Sequence, residues 1–117
     1  MPSLPLAEQN EPGSPRSAPS MQVRWSHHAR EDRDEHTSYL EERSRFAADH
    51  LDARLDAAVD LLVDFPRVGP IGRVQGTREL VVRGTPYIMA YRIDQSSLVI
   101  LRLMHAKQDW PTAMDDD

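Results

Sequence analysis

GTRELVVRGTPYIMAYRIDQSSLVILRLMHAKQDWP, residues 76–111, holds the pattern that decides the fold of this chain. Glu79 to Arg83 reads as one strand, Tyr87 to Ile93 as a second and Leu98 to His105 as a third. Gly84-Thr85-Pro86 and Asp94-Gln95-Ser96 supply the turns between them. Connections this short leave no room for a crossover, so the three strands are expected to be antiparallel neighbours in a meander. The last of them is apolar at both alternating sets of positions: Leu98, Ile100 and Met104 on one side, Val99, Leu101 and Leu103 on the other. A strand of that kind belongs in the middle of a sheet with both faces covered.

Upstream of the meander the period changes. Ala47, Leu51, Leu55, Ala58 and Leu62 recur at spacings of three and four, with Val59 and Leu61 widening the stripe, which is the mark of an amphipathic helix. Asp49, Asp52, Arg54, Asp56 and Asp60 occupy the opposite face, and Pro66 cannot continue the helix. Before it, Ser26 is a candidate N-cap for a more polar helix reaching about Arg45, whose apolar positions are few (Ala29, Tyr39, Leu40). Met21-Gln-Val-Arg-Trp25 alternates apolar and polar, as a short half-buried strand does. The expected fold is therefore α+β: an N-terminal strand, a two-helix hairpin, then the three-stranded antiparallel meander, all in one sheet. One cover of the central strand would be the helical pair. The other would be the C-terminal segment through Trp110, or a partner protein.

Residues 1–20 hold five of the nine prolines and no apolar period. Such a segment buries too little surface to offset its ordering entropy, so it is expected to be disordered, with Met21 as the native start. Mass spectrometry of the protein from its own host tests this, since an intact species beginning at Pro2 would contradict it. The expected domain is 21–111, followed by an acidic tail, 112–117. No run approaches the roughly 20 apolar residues that span a bilayer, and no membrane partner is expected. The absence of cysteine excludes disulfides and thiolate metal sites and is compatible with a reducing cytoplasm. The net charge of −5 is unevenly spread. Residues 31–64 carry eleven acidic and four basic side chains, a balance of −7, whereas residues 65–111 carry seven basic and three acidic, a balance of +4. The basic third offers an anionic partner a surface, or else pairs with the acidic helices.

Four segments in this order, FPRVGPIGRVQGTREL (65–80), PYIMAYRI (86–93), LVILRLMH (98–105) and QDWP (108–111), resemble the toxins of bacterial type II toxin–antitoxin pairs in the ParE/RelE superfamily. The resemblance covers residues 21–111 and implies a cytoplasmic toxin neutralised by a cognate antitoxin, which typically wraps it with a helix and an extended segment. RelE-like members cleave mRNA in the ribosome; ParE-like members poison DNA gyrase. RNA cleavage needs a base, an acid and cations around the phosphate. Set on Tyr91, the register puts Glu79, Val81 and Ile88 where the RNase branch often carries basic residues. The resemblance thus favours a ParE-like gyrase poison over a ribosome-dependent endoribonuclease. A third reading is an inactive relative that only binds the antitoxin.

A minimal RNase site would draw on His105 as acid or base, with Arg78 and Arg83 clamping phosphate; a strand-end histidine bonded to backbone is the plainer reading of His105. Arg73, Arg78, Arg83 and Arg102 are candidates for target or antitoxin contact, or for salt bridges to the acidic helices. Trp110 is expected to anchor the tail, with target or antitoxin contact as its other role. Tyr91 and Arg92 fall on opposite faces of a regular strand and cannot share a pocket. His27, His28, His36 and His50 lack metal-ligand spacing and are read as incidental surface residues, so no metal and no cofactor is expected. No glycine-rich phosphate loop runs from a strand into a helix.

Overall fold

The computed structural model describes residues 21–115, so the expectations for residues 1–20 and for Asp116 and Asp117 lie outside the described residues. The elements are β1 (Gln22–Trp25), α1 (His27–Glu41), α2 (Arg45–Asp64), β2 (Arg78–Val81), β3 (Tyr87–Asp94) and β4 (Ser97–His105). They form the expected α+β arrangement, with one sheet in the order β1-β4-β3-β2. β2, β3 and β4 make the antiparallel meander, while β1 joins the far side of β4 in parallel, Val23 beside Leu98 and Trp25 beside Ile100. β4 is therefore central, as its doubly apolar sequence requires. The turn from β2 to β3 uses Gly84 at φ +77°, a backbone conformation that side-chain-bearing residues rarely adopt.

Several boundaries and faces differ from the sequence reading. α1 stops at Glu41 rather than near Arg45, because Ser44 caps a new helix: its hydroxyl accepts from the Ala47 N–H at 3.2 Å. β2 runs from Arg78 to Val81, earlier than Glu79–Arg83, since Val82 and Thr85 are already drawn into the turn. The buried stripe of α2 begins at Ala48, not Ala47, and continues through Leu51, Leu55, Ala58 and Leu62. Leu61, at the margin of the stripe, stays exposed.

The division of β4 into two faces also changes. Opposite Ala90 and Tyr91 of β3 stand Arg102 and Ile100, so Leu101 is an extra residue, a β-bulge. The bulge resets the alternation. Leu98, Ile100 and Leu103 now face the helices, in one cluster with Leu51, Leu55, Leu62, Met89 and Tyr91. Met104 is buried outside that cluster, as are Val99 and Leu101. Strict alternation had exchanged Leu103 and Met104.

The two helices dock by different means. α2 buries an aliphatic stripe, each leucine contributing roughly 1.5–3 kcal/mol. α1 buries only Ala29 and Asp32. It lies along the edge of β4 beyond the end of β1, where main-chain groups have lost their strand partner. Ser26 donates its hydroxyl to the Leu101 carbonyl at 3.0 Å and accepts from the Ala29 N–H, as the expected N-cap. The Asp32 carboxylate accepts the Leu103 N–H at 2.9 Å, and the His36 Nε2–H donates to the Leu103 carbonyl at 2.9 Å. Helix side chains here replace the missing strand.

Candidate functional site

The candidate residues separate into two regions on opposite sides of the sheet. In the register of β2 on β3, Arg78 stands beside Tyr91 and Leu80 beside Met89 on the helix side. Glu79 stands beside Ala90 and Val81 beside Ile88 on the other side. The three positions where the resemblance would place nuclease cations therefore share one face. Glu79 is engaged by Arg73, which donates to it from Nε at 2.9 Å, from a terminal nitrogen at 3.0 Å and from its backbone N–H at 2.8 Å. Burial pushes the Glu79 carboxyl up, but these bonds and the adjacent charge outweigh it and hold the group below the usual carboxylate range. The same bonds raise Arg73, so both partners stay charged. The Arg73 guanidinium also lies 3.6 Å from the centre of the Trp110 ring. The chain after β4 thus reaches the outer edge of the sheet and rests there on a cation and its carboxylate.

Arg78 works within the loop before β2. It donates to the carbonyls of Gly69 at 2.7 Å and Arg67 at 3.3 Å. Tyr91 is wholly buried; its hydroxyl donates to the Pro66 carbonyl at 2.7 Å and accepts from the Gly69 N–H at 3.0 Å. Burial raises this phenol above its ordinary value, with the Gly69 bond and the nearby arginines acting the other way. Gly69 must be glycine here, since an added Cβ would stand 2.7 Å from both the Glu79 carbonyl and the Tyr91 hydroxyl. Arg102 forms an ion pair with Asp32 of α1 at 2.7 Å. Arg83 is exposed in the β2–β3 turn, where its carbonyl accepts from Arg54 of α2 at 2.8 Å.

His105 lies elsewhere. It pairs with Tyr87 at the end of β3, four residues along that strand from Tyr91, the partner of Arg78. At about 3.3 Å per residue that is about 13 Å, so His105 and Arg78 do not meet around one phosphate. The Nδ1 of His105 accepts from the Lys107 N–H at 3.1 Å, and the His105 backbone N–H donates to the Gln108 side-chain oxygen at 3.0 Å. Its ring meets Tyr87 edge-on at 5.3 Å, and His36 approaches Tyr87 from α1 at 4.7 Å.

His36 is consequently not an incidental surface residue, and neither is His50, whose Nε2–H donates to the Gly84 carbonyl at 3.2 Å. His27 and His28 are exposed in the first turn of α1, with His27 beside Glu31. Asp32, Tyr39 and Tyr87 were not singled out from the sequence. The spacing Ala29-Asp32-His36-Leu40 was the available signal, since it places all four on one side of α1.

His36, His50, His105, Tyr39 and Tyr87 surround a groove of about 550 Å³, floored by Leu40, Leu51 and Pro86 at the hairpin end of the helices. Among the described residues no three His, Asp or Glu side chains are placed to hold a metal ion.

This α+β fold is shared by a solved structure described as "Chromosomal ParDE TA system from P. aeruginosa" (TM-score 0.65, 22% identity, covering 75% of this chain and 98% of that one). The family model described as "ParE toxin of type II toxin-antitoxin system, parDE" matches residues 23–110. A Sinorhizobium fredii (strain NBRC 101917 / NGR234) protein bearing the name "Putative toxin Y4kP" is 41% identical over 92 residues, 79% of this chain and 95% of its own length. The chain belongs to the ParE toxin family of type II toxin–antitoxin systems, within the ParE/RelE superfamily.

Proposed function

We propose that this toxin arrests growth by binding a protein target, DNA gyrase, in the cytoplasm, and that it is not a nuclease. The observation that carries the reading is the second sheet face. Glu79 is committed to Arg73, and Val81 and Ile88 beside it are aliphatic, so the positions that would neutralise a phosphate carry one paired carboxylate and no cation. Phosphoryl chemistry needs preorganised positive charge at the reacting group. His105 stands at the opposite end of the meander from Arg78, with its Nδ1 occupied by a backbone donor. A cognate antitoxin holds the toxin inactive, in keeping with the family. Arg83, exposed in the β2–β3 turn, remains a candidate target contact, and Arg73 and Trp110 at the outer edge of the sheet remain candidate antitoxin contacts.

The test is expression of residues 21–117 with and without the product of the neighbouring reading frame, followed by parallel gyrase and mRNA-cleavage assays. Growth arrest with DNA-damage signalling, and loss of supercoiling by purified gyrase, are expected without the neighbour. Unchanged supercoiling at high toxin concentration refutes the gyrase reading. Cleavage of mRNA at translated codons, abolished by His105→Ala, would instead establish the endoribonuclease.

A further inference from the structure

Three arginines line a smaller cavity at the end of the sheet where β2 begins and β3 ends. Arg67, Arg78 and Arg92 surround about 250 Å³, with Ile71 and Ile93 in the same wall. Among the described residues no Asp or Glu lines it. Asp64, Glu79 and Asp94, the acids nearest to these arginines in the sequence, are absent from the wall, and Glu79 is held by Arg73 instead. The frame of the cavity is fixed. Arg78 uses one terminal nitrogen to bind the carbonyls of Gly69 and Arg67, at 2.7 and 3.3 Å, which leaves Nε and the second terminal nitrogen as donors for another acceptor. The same bonds, with those of the Tyr91 hydroxyl to Pro66 and Gly69, hold the loop that carries Arg67. Arg92 follows Tyr91 on β3, and the Arg67 and Arg78 charges lie close enough to act on the Tyr91 phenol. Positive charge also continues across the sheet. Arg24 of β1 stands in one row with Val99 and Arg92, about 10 Å from Arg92 at two strand spacings.

We propose that this cavity binds a phosphate group of DNA and holds it without cleaving it. The proposal rests on the gyrase reading for the source of that DNA, the duplex on which gyrase acts. The volume is below that of pockets enclosing a whole drug-sized ligand, which suits a single phosphate, and planar guanidinium forks match its oxygens in pairs. Clustered arginines on one side of a chain of net charge −5 also orient that side toward a duplex. Cleavage would need an acid or base at the phosphate, and no His, Asp, Glu, Lys or Tyr lines this cavity. A further cavity, between α2 and β2, sets Arg54 and Arg83 among five apolar side chains, and Arg54 there already binds the Arg83 carbonyl.

The test titrates the isotope-labelled whole chain with a DNA duplex, and separately with inorganic phosphate, following the Gly76 amide and the Arg78 Nε–H by NMR. Arg67→Glu is the site variant; Arg67 is exposed, so the fold is expected to survive, and thermal melting checks it. Arg45→Glu makes the same charge change at the far end of α2, about 30 Å away along the helix. The duplex should shift both resonances. Arg67→Glu should weaken duplex binding at least tenfold and lower its salt slope by about one, while Arg45→Glu weakens it less than threefold. Resonances that do not move with the duplex, or equal weakening by the two variants, overturn the site. Shifts with inorganic phosphate and none with the duplex would give the cavity to a small phosphate compound and overturn the DNA assignment. A supercoiling assay on the same samples separates the two readings. Gyrase inhibition by wild type without duplex contact at Gly76 and Arg78 removes the proposal alone. Duplex contact without gyrase inhibition removes the gyrase reading and leaves the phosphate site standing.

Discussion

α1 and α2 pack against the same sheet yet are held by different physics. α2 is attached by an aliphatic stripe, from Ala48 to Leu62, whose period is visible in the chain. α1 is attached by Ser26, Asp32 and His36, which satisfy main-chain groups of β4 and the Arg102 guanidinium. The difference shows what a short β1 demands. Its pairing with β4 ends at Trp25 and Ile100, and the exposed edge beyond has to be bonded by something. Helix side chains of suitable length do so, at the cost of burying a carboxylate and a guanidinium together. A buried pair of this kind adds little net stability, but removing one partner leaves the other unpaired.

The comparison can be broken at its polar half first. Asp32→Ala strands Arg102 and the Leu103 N–H, and is expected to cost about 3–5 kcal/mol by denaturant titration. Hydrogen exchange should show α1 opening before α2. A loss below about 1 kcal/mol would mean that α1 is held by its few apolar contacts. Leu55→Ala probes the apolar half and should cost about 3 kcal/mol, with α1 and α2 losing protection together. Ser26→Ala removes the N-cap and the bond to Leu101 and should cost about 1–2 kcal/mol, read in the same titration.

The smallest effect expected lies in the alkaline limb of the stability profile. Burial raises Tyr91 in the folded protein, so its contribution is complete below the unfolded tyrosine value, about 10, and is lost as pH rises through the higher folded value. Tyr87, also raised by burial, acts in the same direction. Tyr91→Phe should lower stability at neutral pH, through the lost bonds to Pro66 and Gly69, and flatten the decline above pH 10. An unchanged slope would assign the alkaline dependence to other groups.

Legibility followed the same division. The meander was readable because β3 and β4 carry runs of apolar residues between short turns. The α2 stripe was readable because period alone marks a buried helix face. The bulge at Leu101 was not. One extra residue at Leu101 moves Leu103 to the helix side in place of Met104, and the alternation of apolar residues along the strand carries no mark of it. Among the candidates, the side-by-side placement of Glu79, Val81 and Ile88 on one part of the sheet follows from strand alternation. The roles of His36 and His50 did not, because a histidine that bonds a distant carbonyl has no local sequence signature. The groove draws its walls from the helical hairpin, the β2–β3 turn and the end of β4, so no single segment of the sequence displays it.

By itself, then, the stretch Gly76–Pro111 determined the antiparallel meander and carried the resemblance to the ParE/RelE toxins, since alternation, turn chemistry and residue order are local properties. Tertiary structure decided how β1 pairs, which face of β4 each residue serves and what His36, Asp32 and Trp110 touch. Those outcomes depend on which distant main-chain and charged groups must be satisfied once the helices close over the sheet.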